Sequence, residues 1–402
     1  MAACEVLIDV TRLLGRFMQG RLPTGVDRVS LAYLAHYRHR ARAVVRWAGQ
    51  GFVLSREDSG RLFDRLLCPQ RRVGRDLWPL LAKGVALGWP SRQPEGRFLF
   101  NTGHSGLEQP AYPALLQRLD ARPVFFVHDL IPITHPEYCR PGESGRHARR
   151  MDAILGLAAG VIANSQATLA ELTRYAQHHG KAMPPAVVAL LAPGLAAVPS
   201  GPKPLAEPYF VMLGTLEPRK NHVFLLQLWR RLAERLGAAC PKLVVVGQRG
   251  WECENVVDLL ERCAALRGLV VEVPRCGDAE LADWLRHAQA LLFPSFAEGY
   301  GLPLAEALAL RTPAIASDLP AFREIAGGIP EYLDPLDGKG WGEAIEAYAR
   351  PGSPEREAQL RRMADCRLPT WDGHFALVDG FLERLESPLG LPRKGGGSHG
   401  RG

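Results

Sequence analysis

The stretch that most narrows the folding options of this chain runs from Ala288 to Leu310. Ala288 to Phe293 is an apolar run of buried-strand length, and Leu304 to Leu310 is an Ala/Leu-rich run that reads as a helix. Between them lies Pro294-Ser295-Phe296-Ala297-Glu298-Gly299-Tyr300-Gly301-Leu302-Pro303. Its proline suits the first helical position, where the missing N–H would have no partner anyway. A buried strand feeding a helix through a glycine loop is part of a parallel α/β layer, so the chain is expected to be α/β. Free amides at the helix start, aided by the helix dipole, make a place for an anion. Glu298 stands on the loop and Glu306 one turn inside the helix. Two carboxylates around an anion suit a ligand with diphosphate in the middle and hydroxyl-rich groups at both ends, which describes a nucleotide-sugar.

The same rhythm recurs along the chain. Glu5 to Val10 reads as a first strand, followed by a turn containing Gly25 and a helix from Asp27 with Val29, Leu31, Leu34 and Tyr37 near helical spacing. Such an opening turn faces the crevice of a doubly wound sheet, so Gly25 is a candidate for close backbone approach and Arg28 for an acceptor contact. Arg97 to Asn101 and Arg122 to Val127 read as parallel strands, ending in Thr102-Gly103-His104 and His128-Asp129. Ligands in open α/β sheets sit beyond the carboxyl ends of strands, which makes His128 a site candidate and His104 and Asp129 candidate acceptor contacts. Gly160 to Ala163 leads to Asn164-Ser165, residues that cap a following helix.

After a Pro/Gly-rich linker, Tyr209 to Leu213 begins a second set of strands, followed by Gly214-Thr215-Leu216-Glu217-Pro218-Arg219-Lys220-Asn221. A helix follows, with Leu225, Leu228, Leu232 and Leu236 on one face. Cations at a helix start oppose its dipole by up to about 1 kcal/mol each, so Arg219 and Lys220 make sense if an anion binds beside them. Leu269 to Val273 is a strand ending near Arg275 and Cys276; Pro313 to Ala316 is another, followed by Ser317 to Glu324. Trp371 to Leu385 is an amphipathic helix, and the Gly-rich tail is expected to be disordered. The expected division is a first domain over 1–196, a linker over 197–206, a second domain over 207–370, a returning helix over 371–388 and a tail over 391–402.

Bulk properties exclude several classes. No apolar run approaches the roughly 20 residues needed to span a bilayer. The first residues lack the basic segment of a secretory leader. The eight cysteines show no C-x-x-C spacing, which argues for reduced thiols in a cytoplasmic protein and against a zinc cluster. Residues 1–200 carry 25 Lys+Arg against 15 Asp+Glu, whereas 201–402 carry 24 against 27. The arginines cluster at Arg38, Arg40, Arg42 and Arg46, at Arg71, Arg72 and Arg75, and at Arg146, Arg149 and Arg150. A basic first half suits peripheral contact with an anionic membrane face, an anionic acceptor, or a plain solvated surface; with no accompanying aromatic platform, membrane ranks above nucleic acid.

At Glu298, seven residues, then Glu306, inside F-P-S-F-A-E-G-Y-G-L-P-L-A-E-A, the sequence resembles family 4 glycosyltransferases. V-H-D-L-I-P, V-I-A-N-S-x-x-T, G-T-L-E-P-R-K-N and S-D-L-P-A-F-R-E resemble further stretches of the same family. The resemblance implies the GT-B architecture: two facing Rossmann-like domains, the first binding acceptor and the second nucleotide-sugar, with a C-terminal crossover helix. It implies a retaining, metal-independent enzyme that uses no resident cofactor. By that likeness Glu298 and His128 reach the donor sugar, Glu306 the ribose, and the backbone of Gly299, Tyr300, Gly301 and Leu302 the diphosphate. Arg219 and Lys220, beside Gly214, neutralise the departing diphosphate, and Arg275 and Cys276 border the base. The family's Gly-x-Gly-Arg loop becomes Gly25-Val26-Asp27-Arg28 here, with Asp27 in place of the second glycine.

The expected function is hexosyl transfer, with mannosyl transfer among the candidates, from a nucleotide-diphosphate sugar to a glycan or polyprenyl-linked glycan. The expected setting is surface polysaccharide assembly at the cytoplasmic membrane face. Two other readings stay open: a non-catalytic nucleotide-sugar-binding or scaffold protein, and a sugar-nucleotide epimerase on the same fold.

Overall fold

The computed structural model describes residues 5–47, 50–68, 97–195 and 198–386. Arg71, Arg72, Arg75 and the tail 391–402 lie outside the described residues. The first sheet contains β1 (Val6–Asp9), β2 (Ala41–Trp47), β3 (Gln50–Val53), β4 (Arg97–Asn101), β5 (Ala121–Val127), β6 (Gly160–Ala163) and β7 (Ala186–Val188). Its order is β3-β2-β1-β4-β5-β6-β7, parallel throughout except for the β2/β3 hairpin at one edge. The second contains β8 (Tyr209–Leu213), β9 (Lys242–Val246), β10 (Val270–Val273), β11 (Leu291–Phe293), β12 (Ala314–Ser317) and β13 (Glu331–Leu333), in the order β10-β9-β8-β11-β12-β13. This all-parallel order reverses direction between β8 and β11, and ligands of doubly wound sheets gather at such a switch point.

The central strands β1, β4, β5, β6, β8, β9, β11 and β12 are largely buried on both faces, so they read mostly as apolar runs rather than alternating ones. Val211, Val244, Leu291 and Phe293 fill one side of the second sheet, and Phe210, Met212, Val245 and Leu292 the other. The core of the first domain includes Tyr300, Ala305 and Ile325 from the second domain and Phe375, Val378, Phe381 and Leu382 from the final helix, Trp371–Glu386. That helix is fastened to the first domain through Asp379, which accepts from Tyr37 Oη at 2.9 Å and Arg40 Nη2 at 2.7 Å.

Several local expectations need correction. Between β1 and the Gly25 turn lies a further helix, Thr11–Met18. The arginines at 42 and 46 sit on β2 instead of marking an open surface. Arg40 meets Asp379, Arg42 donates to the Leu54 carbonyl at 2.9 Å, and Arg46 meets Asp9 at 2.8 Å. Pro303 takes the second position of the helix Leu302–Ala309, not the first, because Leu302 already has helical backbone.

Candidate functional site between the two domains

The centre of the site is assembled by the loops that follow β8 and β11. Ser295 to Gly301 leaves β11 and turns into the helix Leu302–Ala309, while Gly214 to Asn221 leaves β8 and turns into the helix His222–Leu236. Between these loops Glu298 meets Arg219 Nη1 at 2.6 Å and Lys220 Nζ at 2.5 Å. Arg219 also holds Glu217 at 2.5 Å and donates to the Ala297 carbonyl at 2.8 Å. Ser295 Oγ donates to Glu298 at 2.9 Å. All three charged side chains are largely buried, with 9% of Glu298, 8% of Lys220 and 17% of Arg219 exposed. Burial pushes the Glu298 carboxyl up, but Arg219 and Lys220 overrule it and bring it down to about 2. Burial also opposes the charge of Arg219, and the Glu298 and Glu217 carboxylates more than offset it. For Lys220, burial lowers the pKa while Glu298 holds the charge in place.

The same loop presses against the first domain. An added Cβ at Gly299 would lie 2.1 Å from the His128 carbonyl oxygen, so only glycine fits this approach. The Gly299 carbonyl accepts from Ser165 Oγ at 2.9 Å and Thr168 Oγ1 at 3.0 Å, and Asn164 Nδ2 donates to the His128 carbonyl at 2.8 Å. Tyr300 Oη donates to the Leu191 carbonyl at 2.5 Å. Gly301, at φ +114°, turns the chain into the helix in a conformation that a side chain would resist. A second latch lies nearby. Glu324 accepts from the amides of Gln166 and Ala167, capping the first-domain helix Gln166–His178 from across the seam.

His128 is buried, and its Nε2 donates to the Thr102 carbonyl at 2.7 Å. Burial holds its pKa below the ordinary value, so the ring is neutral with Nδ1 as its lone-pair nitrogen. Asp129 is half-buried, accepts from the Ile131 amide at 3.1 Å and adds to the field at Arg219. His104 is as buried as His128, but its Nε2 is enclosed and so not open to an acceptor. It is 7% exposed, with its ring centroid 5.3 Å from that of His128 and 5.7 Å from that of His147. Its Nε2 has no hydrogen-bond partner among the described residues.

Arg28 lies at the seam between the domains. It crosses the seam to Asp278, with Nη1 3.2 Å from Oδ2 and a still shorter contact from Nη2. Its neighbour Asp27 explains the departure from a second glycine. The Asp27 carboxylate accepts from the Thr24 amide at 2.8 Å in a capping box and meets Arg12 and Arg16 at 3.1 and 2.7 Å. Gly25 begins the helix Gly25–Tyr37 and lies against Leu302, whose Cδ1 would stand 3.2 Å from an added Cβ. Gly214 follows β8 directly beside the Lys220 side chain.

Glu306 forms a second carboxylate centre rather than joining Glu298. It accepts from the amides of Gly194 at 2.8 Å and Leu195 at 2.7 Å, where the chain leaves the first domain. Burial raises its pKa, against the pull of those amides and of Arg28. Cys276 is half-buried beside Arg28 and Asp278, while Arg275 is exposed.

The site therefore has a charge-paired centre beneath the His128 loop and a carboxylate flank at Glu306. Glu217, Ser295 and Glu324 are partners that pattern reading did not single out. Glu217 and Ser295 lie two and three residues from a recognised charge, a spacing that could have flagged them.

Residues 207–350 match the model of the family described as glycosyl transferases group 1. The serotype-specific mannosyltransferase WbdA of Escherichia coli is 30% identical over 245 residues, covering 54% of this chain and 29% of that protein. O-antigen chain mannosyltransferase B of Escherichia coli is 30% identical over 164 residues, covering 41% of this chain and 42% of that protein. The chain thus spans less than half the length of these curated relatives. Among solved structures, Anabaena Alr3699/HepE in complex with UDP and glucose superposes with a TM-score of 0.68 over 94% of this chain and 100% of the other, at 16% identity, which is a likeness of fold. Residues 207–350 are thus similar to the glycosyl transferases group 1 family, and they sit on a two-domain GT-B fold.

Proposed function

We propose that this chain transfers a hexose from a nucleoside diphosphate sugar to a hydroxyl of a glycan or lipid-linked glycan. The observation that carries the proposal is the buried Glu298–Arg219–Lys220 cluster, set at the switch point of the second sheet and roofed by the His128 loop. Breaking the bond between the anomeric carbon and the diphosphate builds negative charge on the leaving oxygen. Two preoriented cations in a site screened from water stabilise that charge most where it grows. The diphosphate displaces Glu298 from part of its hold on Arg219 and Lys220, which frees the carboxylate for the donor sugar. Glu306 takes the ribose hydroxyls, and neutral His128 accepts a hydrogen bond from the sugar through Nδ1. The cation pair does the work for which other transferases use a metal ion, and no resident cofactor takes part.

The two named curated relatives are mannosyltransferases, one described by serotype and the other by O-antigen, which supports mannose as the sugar and surface polysaccharide as the product. The stereochemistry is retention, with the leaving phosphate accepting the acceptor proton. The reaction takes place at the cytoplasmic membrane face, where exposed arginines such as Arg21, Arg140 and Arg149 meet anionic lipid.

The test is a panel of UDP-, GDP- and dTDP-hexoses with glycan acceptors, following nucleotide release and the anomeric signal of the product. Transfer with retained configuration, lost in Glu298→Gln and Lys220→Ala while both variants stay folded, is expected. Near-normal turnover in both variants overturns the assignment. Failure to sediment with anionic liposomes at low salt overturns the membrane contact.

A further inference from the structure

A cavity of about 300 Å³ opens in the first domain, away from the charged cluster. Its lining includes Trp47, Gln50, Ser105, Gln109, Ala114 and Arg118. Its volume lies at the small end of ligand sites, enough for about one sugar ring. Its place in the sheet is informative. Trp47 ends β2, and Ser105 follows β4, so the cavity sits on the carboxyl-end edge that also carries His128 after β5. In the order β2-β1-β4-β5, three strand steps separate β2 from β5. At about 4.8 Å per step that is roughly 14 Å, or two to three pyranose lengths.

The cavity floor is rigid. Arg46 is 9% exposed, meets Asp9 at 2.8 Å, donates to the Ser105 carbonyl and lies over the Tyr112 ring at 5.3 Å. Arg118 donates to the Gly51 carbonyl at 2.5 Å. Around this floor stand a half-exposed indole, two carboxamides and the hydroxyls of Thr11, Ser105 and Tyr112, and none of the lining residues among those described is acidic. Carboxamides both donate and accept, as vicinal sugar hydroxyls require, whereas a phosphate would need donors alone. The indole offers an apolar face to the C–H side of a pyranose.

We infer that this cavity is a remote acceptor subsite, binding a pyranose two or three units back from the hydroxyl that reacts. The inference rests on the transferase reading above and extends it to the length of acceptor the protein prefers. Two variants test it: Ala114→Phe, which fills the cavity, and Gln109→Ala, which removes one polar partner. α-Linked mannotriose and methyl α-mannoside are titrated into the wild-type protein and both variants by saturation-transfer NMR, and kcat/KM is measured with each as acceptor.

Mannotriose is expected to bind the wild type about tenfold more tightly than the methyl mannoside, with that preference cut several-fold in Ala114→Phe and reduced in Gln109→Ala. Absence of a length preference in the wild type, or a preference that survives both substitutions, overturns the subsite. A wild type that transfers from no donor sinks the transferase reading instead, and the binding data then decide the subsite alone.

Discussion

Glu298→Gln removes the carboxylate that two buried cations share. The magnitude can be reached by two routes. The Glu298 carboxyl is brought down to about 2 from an ordinary 4.5, which at about 1.36 kcal/mol per pH unit corresponds to roughly 3 kcal/mol. Breaking a buried ion pair by removing one partner costs about 3–5 kcal/mol in other proteins, and Glu217 still serves Arg219 here, which favours the low end. The sign follows from the direction of the shift. Because the folded carboxyl titrates below its unfolded counterpart, its contribution is complete above about 4.5 and fades as pH falls toward 2. Urea unfolding of wild type and variant should therefore differ by about 3 kcal/mol at pH 7, and the gap should narrow below about pH 4.5. UDP or GDP, by occupying the uncompensated cations, should stabilise the variant more than the wild type. A gap below about 1 kcal/mol at pH 7, or one that does not close in acid, would refute the view of this cluster as a mutually compensating trio.

Gly299→Ala should cut transfer by at least about 100-fold, because its Cβ would strike the His128 carbonyl and wedge the domains apart, while circular dichroism stays native. His104 titrates well below the ordinary value because burial and the neighbouring His128 and His147 disfavour its cation, so its stabilising effect is full above about pH 6.5 and is lost as pH falls. His104→Asn, which tolerates the left-handed backbone at φ +54°, should move the acid unfolding midpoint to lower pH. Arg28 and Asp278 are 31% and 55% exposed, so a double-mutant cycle should return no more than about 1 kcal/mol of coupling.

The parallel strands were legible because continuous apolar runs such as Tyr209–Leu213 and Gly160–Ala163 have few other ways to hide. Arg219, Lys220 and Glu298 were legible because charge at a strand's carboxyl end or a helix start is costly without a purpose. Their mutual pairing was not, since 78 residues separate Lys220 from Glu298 and no local periodicity encodes the meeting. The same distance problem hid Glu324 on the start of Gln166–His178 and Arg28 on Asp278. His104 misled because a histidine after a strand looks alike in sequence whether its ring faces a crevice or is buried among other rings. Arg40 and Arg46 misled for a similar reason: composition counts charges but does not say that Asp379 and Asp9 claim them.

The helix Trp371–Glu386 also bears on how the chain is made. Phe375, Val378 and Phe381 complete the apolar interior around Tyr33 and Tyr37, residues emerging from the ribosome more than 300 positions earlier. The first half of the protein must therefore wait, unfinished and sticky, until that helix has been made. Stop codons or proteolytic cuts just before Trp371 should yield products that aggregate through the amino-terminal half, although every residue of that half is intact.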